Sequence, residues 1–259
     1  MIDGLGTVAL GVSASLVASL GTAIGSAGIF LVSGLSRRLE DGLLSGAAGV
    51  MLAATFFSLL LPSLEAGGAL HGPARSAAVT SAGVLLGALT LYLIHARVPH
   101  EHFQLGLEGA AGTELSRIWL FVIAIALHNF PEGLAVGVSF AGGDWSSGAS
   151  LTAGIAIQNM PEGLAVAVAL VSVGYSKRQA CGAGILSGLV EPLGGLLGAV
   201  AVAFVDVLVP WSLAFAAGAM LFIISDEIIP ETHRGGNADL ATFSLLGGFV
   251  LMMILDSVI

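Results

Sequence analysis

Eight long apolar runs constrain this chain more than anything else in it: roughly residues 5 to 33, 43 to 64, 76 to 96, 116 to 141, 148 to 173, 180 to 205, 210 to 233 and 239 to 258. A helix of about 20 apolar residues crosses one hydrocarbon core. Membrane strands need alternating segments of about 10 residues, whereas these runs are longer and continuously apolar. The expected fold is an all-α membrane protein of eight transmembrane helices, with residues 1–259 forming a single transmembrane domain. Composition agrees, because 56% hydrophobic and 10% charged residues do not suit a soluble two-layer domain. The 37 glycines fit a bundle in lipid, where small residues let helices approach closely. The first run has no basic leader and outlasts a signal peptide's apolar stretch, so it reads as a retained helix.

The basic residues set the expected orientation, since Lys and Arg in short loops mark the cytoplasmic side. With the N-terminus outside, Arg37, Arg38, Arg97, Arg117, Lys177, Arg178 and Arg234 fall inside and only Arg75 falls outside. Both termini are then extracytoplasmic. The longest cytoplasmic loop runs from about 97 to 115, and His95, His100 and His102 at its start are candidates for loose metal capture or plain solvation. Asp3, Glu65, Asp144, Asp206 and Asp256 lie at outer ends, where a one-signed rim attracts cations. The single cysteine, Cys181, excludes an internal disulfide and a thiolate cluster and reads as a small packing residue. No basic patch exists for nucleic acid.

Three carboxylates stand where lipid depth makes them costly. Glu132, Glu162 and Glu191 each lie about ten residues into a run, near the midplane at 1.5 Å of rise per residue. An ionised carboxylate there costs on the order of 2.5–3.5 kcal/mol. No Lys or Arg shares that depth, so the counter-charge is protons or a bound cation. Five prolines sit beside acids: Pro62 with Glu65, Pro131 with Glu132, Pro161 with Glu162, Pro192 with Glu191 and Pro230 with Glu231. A helical proline cannot donate to the carbonyl four residues back. The carbonyls of Leu127 and Ile157 are then free, which at this depth is tolerated only when they face protein, water or an ion.

His128 and Glu132 share one helix face, and Gln158 and Glu162 repeat that spacing on the next helix. A short link around Asp144 makes the two helices antiparallel neighbours. Glu191 belongs to a row of small residues, Ser187, Gly188, Gly194, Gly195 and Gly198, that suits close approach to the same centre. Imidazole, carboxylates and amide oxygen together make a mixed nitrogen and oxygen site for a divalent first-row ion. A zinc protease would show HExxH, but here the spacing is HxxxE and no second buried histidine is expected. Neither is there a GxxxxGK[ST] loop for nucleotide hydrolysis. The glycines of "GLGTVALG" and "SLGTAIGSAG" read as helix packing, not phosphate binding. Two other readings remain at this point: an intramembrane metal-dependent hydrolase, and a proton-linked carrier of another solute that uses the glutamates as relays.

"HNFPEG" in the fourth run and "QNMPEG" in the fifth resemble the paired signature of the ZIP (Zrt/Irt-like) divalent-metal transporters, bacterial broad-specificity branch. "FFSLLLPSLE", "SGLVEPLGG" and "DEIIPETHRGG" are similar to further family segments. The resemblance implies a 3+2+3 bundle with inverted pseudo-symmetry, set in a bacterial inner membrane. It implies transport of Zn²⁺, with Cd²⁺, Fe²⁺ or Mn²⁺ as alternatives, into the cytoplasm by alternating access. The cation is then substrate, not a resident cofactor, and the chain is not an enzyme. Carried over residue by residue, His128, Glu132, Gln158, Glu162 and Glu191 form the main metal site, and Asn129, Glu132, Gln158, Asn159 and Glu162 line a second. Relatives with two occupied positions often carry an acid where this chain has Asn159, so weaker second occupancy is expected. Pathway candidates are Ser58 and Glu65 in the second run and Asp226, Glu227, Glu231 and His233 in the seventh. The expected partners are the cation and the lipid bilayer, with pairing into a homodimer left open.

Overall fold

The computed structural model describes residues 4–102, 106–108, 117–140 and 145–258. Asp3, Asp144 and most of the 97–115 loop therefore lie outside the described residues. Eight helical spans are long and apolar enough to cross a membrane: Gly4–Phe30, Arg37–His71, Pro73–His95, Val122–Ser139, Trp145–Ser172, Lys177–Ala203, Leu208–His233 and Ala238–Val258. All eight overlap the apolar runs of the sequence. The chain is a multi-pass integral membrane protein. One short hairpin departs from the all-helical pattern: β1 (His100–His102) pairs antiparallel with β2 (Gly106–Glu108), His100 opposite Glu108.

Several spans are composite, and in the second, sixth and seventh a proline follows the break. The first joins α1 (Gly4–Ala27) to a 3₁₀ turn at Gly28–Phe30. The second runs from α2 (Arg37–Ala54) through a π-helical stretch, Thr55–Leu60, into α3 (Leu61–His71). The third and fourth are α4 (Pro73–His95) and α5 (Arg117–Ser139), and the fifth is α6 (Trp145–Ser172). The sixth comprises α7 (Lys177–Gly188) and α8 (Glu191–Ala203). The seventh repeats the second's design: α9 (Leu208–Ile223), a π stretch at Ile224–Ile228, then α10 (Ile229–His233), before α11 (Ala238–Val258). In both π stretches the next N–H reaches back five residues, Leu61 to Phe56 and Ile229 to Ile224. Pro62 and Pro230 follow at once. Neither can donate to the carbonyl four residues back, and the wider turn relieves that clash.

The sixth span corrects the sequence reading. A continuous helix from 180 to 205 was expected, with Glu191 in its middle, but the helix ends at Gly188 and restarts at Glu191. Glu191 and Pro192 open α8, and acid and proline in a first turn are both helix-start signals. The dipole of α8 then favours negative charge at Glu191.

Packing follows the small residues. The helices pair chiefly as α1 with α6, α5 with α8, α2 with α11 and α4 with α9, and α1 also lies against α8. α5 and α6 touch, but each packs mainly on another helix. A Cβ at Gly133 would run into the carbonyl of Glu191, and one at Gly163 into the carbonyl of Thr22. The glycine of each P-E-G triplet is thus where α5 meets α8 and α6 meets α1. Gly21 and Gly25 of α1 face the carbonyls of Ala156 and Met160 in the same way, which bears out packing as their role. Cys181 is buried and free, among apolar neighbours.

Candidate metal site

The two proline motifs interlock at the centre of the bundle. Gln158 Nε2 on α6 donates to Glu132 Oε1 on α5 at 2.5 Å. Antiparallel helices keep a constant register, so the contact between residues 132 and 158 sets residue 162 level with residue 128. The charges of Glu162 and His128 do act on each other, and those of Glu132, Glu162 and Glu191 reach one another too. Two tiers result. One holds Glu132, Gln158, Asn159 and Glu191; the other holds His128 and Glu162. All three glutamates are buried, Glu132 and Glu191 completely.

The first tier is joined to α1 and α8. Glu191 Oε1 accepts from Asn159 Nδ2 at 2.9 Å and from Thr22 Oγ1 at 3.2 Å. Asn159 Nδ2 also donates to the carbonyl of Ala18 at 3.1 Å. Several buried atoms in this tier have no hydrogen-bond partner: Glu132 Oε2, Gln158 Oε1 and Glu191 Oε2; both polar side-chain atoms of Asn129 on α5 are likewise buried without one. Buried polar groups are nearly always satisfied, so a concentration of bare oxygens has to be accounted for.

The second tier brings in the seventh span. Glu227, one of the pathway candidates, is buried, and its Oε2 meets His128 Nε2. Its Oε1 lies 2.9 Å from His95 Nδ1. One carboxylate therefore stands between two imidazoles. His95 is the last residue of α4 and is 5% exposed, not part of a solvated loop, and the expectation of no second buried histidine fails. His100 is buried as well, with its ring 4.8 Å from that of His95. Its Nδ1 is 2.7 Å from the Val98 carbonyl, an oxygen that only accepts, so that nitrogen carries the hydrogen. Phe222 closes the far side of His95 at 5.4 Å. His102 stands in β1.

The remaining candidates divide. Glu231 is buried on α10, and its charge reaches His128. His233 instead caps its own helix, with Nδ1 2.9 Å from the Ile229 carbonyl and Nε2 3.3 Å from Thr242 Oγ1. Glu65 on α3 and Asp226 in the π stretch of the seventh span are exposed and are not drawn into the centre. Ser58 is buried and donates to Asp256 Oδ1 at 2.8 Å, where Ser150 of α6 also donates at 3.3 Å. Asp256, read from sequence only as a rim charge, thus links three spans. An acid near the end of the last apolar run was the available signal. Among the described residues no three His, Cys, Asp or Glu side chains stand ready to enclose one ion. The potential ligands are instead held by one another or by amides.

A bundle of eight spans around buried carboxylates, amides and imidazoles, with every Lys and Arg at the helix ends, is a membrane protein whose interior favours cations. The profile of the family described as ZIP Zinc transporter matches residues 100–256. The zinc transporter GufA of Myxococcus xanthus is 46% identical over 95% of this chain and 97% of its own. The zinc transporter ZIPB of Bordetella bronchiseptica is 46% identical over 98% and 81%. Human zinc transporter ZIP11 is 36% identical over 91% and 93%. The chain belongs to the ZIP family of divalent-metal transporters. That membership removes the hydrolase reading.

Proposed function

We propose that this protein carries Zn²⁺ through a bacterial inner membrane into the cytoplasm, with residues 1–259 acting as one transport unit. The observation that carries the reading is the set of partnerless buried oxygens on Glu132, Gln158 and Glu191, on three helices of one network and without a basic side chain among them. A dehydrated divalent cation supplies what those oxygens lack. Oxygen donors with one imidazole suit zinc, and they admit Cd²⁺, Fe²⁺ or Mn²⁺ as competitors. The zinc transporters named above support the choice of zinc.

Glu132, Gln158, Glu162 and Glu191 with His128 are the proposed ligands, and Asn129 lines the same space. The end holding Arg37, Arg97, Lys177 and Arg234 is taken as cytoplasmic, which puts both termini and the end of the bundle holding Asp256 outside. Ser58, Ser150 and Asp256 form the outer approach. His128, Glu227, Glu231, His95 and His100 form the inner exit, with the 97–115 segment on that side. The helix pairing maps onto itself when spans one to three are exchanged with six to eight and four with five, which supports an inverted 3+2+3 arrangement. Alternating access follows as one helix group rocks against the other around the site.

Uptake of isotopic zinc into proteoliposomes tests this. The Glu132→Ala, Glu162→Ala double variant is expected to lose at least nine-tenths of the wild-type flux, by roughly the tenfold that about 1.4 kcal/mol of lost binding produces. Undiminished flux from a correctly inserted double variant sinks the proposal.

A further inference from the structure

We propose that Thr22 and Asn159 are positioning residues that together hold Glu191 Oε1, so that Glu191 presents only Oε2 to the cation and the protein takes one ion at a time. This rests on the metal-transport reading and deepens it. Glu191 has one oxygen fully engaged, by Thr22 at 3.2 Å and Asn159 at 2.9 Å, and one oxygen buried with no partner. A carboxylate held in that way is fixed in rotation about its last bond and offers a single lone-pair-bearing oxygen.

The orientation of the Asn159 amide follows from its surroundings. Its nitrogen faces two acceptors, the Ala18 carbonyl and Glu191 Oε1, so the reverse orientation would set oxygen against oxygen on both sides. The amide oxygen is turned instead toward Gln158 Nε2, 3.5 Å away. The side chain is therefore spent on protein contacts to α1, α6 and α8. An acid at residue 159 would be repelled by the same two acceptors that make an amide fit. Thr22 completes the clamp from α1, whose backbone meets α6 at Gly163, so the hydroxyl and the site share one rigid contact. An amide donor and a hydroxyl donor thus occupy the flank of Glu191 that a second cation would need.

The test combines zinc uptake kinetics with the amount of zinc bound to purified protein, measured by elemental analysis after equilibrium dialysis. Wild type is expected to bind one zinc per chain at saturation. Thr22→Val keeps the shape and removes the hydroxyl, and Asn159→Ala removes the amide; each is expected to raise KM for zinc roughly three- to tenfold, the effect of one lost hydrogen bond, with the maximal rate within about twofold. Thr22→Ser restores the hydroxyl and the KM. Stoichiometry stays at one throughout. Two zinc ions per wild-type chain, falling to one in Asn159→Ala, overturns the proposal by making Asn159 an ordinary ligand. An unchanged KM in Thr22→Val overturns the clamp, as does failure of Thr22→Ser to recover. Absence of zinc transport by wild type would instead strike the underlying reading, so the two failures are distinct.

Discussion

The two copies of the proline motif share a backbone role and divide the side-chain work. In both, the glycine after Pro-Glu lets the helix touch a neighbour's carbonyl: Gly133 meets Glu191 and Gly163 meets Thr22. Yet the helices run in opposite directions. His128 lies on the side of Glu132 nearer the basic end of the bundle, and Gln158 lies on the side of Glu162 away from it. The first copy accordingly faces the basic end, through His128 to Glu227 and His95. The other copy points away from that end, with Ser150 on its helix reaching Asp256. One sequence pattern, read in two directions, thereby lays polar groups along the whole interior while keeping the helix contacts equivalent.

The largest expected effect comes from removing the first residue of each copy. His128→Leu leaves Glu227 facing a methyl group where an imidazole stood, and breaking a buried pair from one side costs about 3–5 kcal/mol. Gln158→Leu takes a donor from Glu132 and costs about 1–3 kcal/mol, because one hydrogen bond to a buried carboxyl group is lost. Thermal unfolding of the detergent-solubilised protein should therefore show a markedly lower midpoint for His128→Leu than for Gln158→Leu. Equal midpoints would erase the distinction between the copies.

Next in size is the feature they share. Gly133→Val and Gly163→Val each force two helix backbones apart, and overpacking of this kind costs about 1–3 kcal/mol. Both variants should lose monodispersity on size-exclusion chromatography to a similar degree. Tolerance of one and not the other would show that the backbone role is not common to the two motifs.

The spans were legible because length and hydropathy alone decide whether a segment crosses lipid. The two central motifs were legible because an acid at that depth has few explanations. Partner choice was not. That Glu227 meets His128, and that His95 joins it, depends on how the third, fourth and seventh spans are placed side by side, which no spacing within a helix encodes. The helix restart at Glu191 was in reach, since acid followed by proline is a start signal, but the surrounding apolar run masked it. Glu65 stands near a proline as the central acids do, yet it is exposed, as its place among the rim charges at an outer end had indicated. Thr22 carried no signal at all, because one hydroxyl in a small-residue helix reads as packing.

The smallest expected effect lies at the end away from the basic residues, where Ser58 and Ser150 both donate to Asp256 Oδ1. The shorter bond, 2.8 Å from Ser58, is buried and well formed, and the 3.3 Å contact from Ser150 is at the long end of the useful range. Either hydroxyl can hold the carboxylate when the other is gone, so neither loss exposes an unsatisfied group. Ser58→Ala should raise KM for zinc roughly two- to threefold, and Ser150→Ala by less than about twofold, each below the full worth of an isolated hydrogen bond. Initial uptake rates at limiting zinc measure the difference. If Ser150→Ala has the larger effect, the helix of the QNMPEG copy governs this approach directly, and the division between the copies is steeper than the hydrogen-bond lengths indicate.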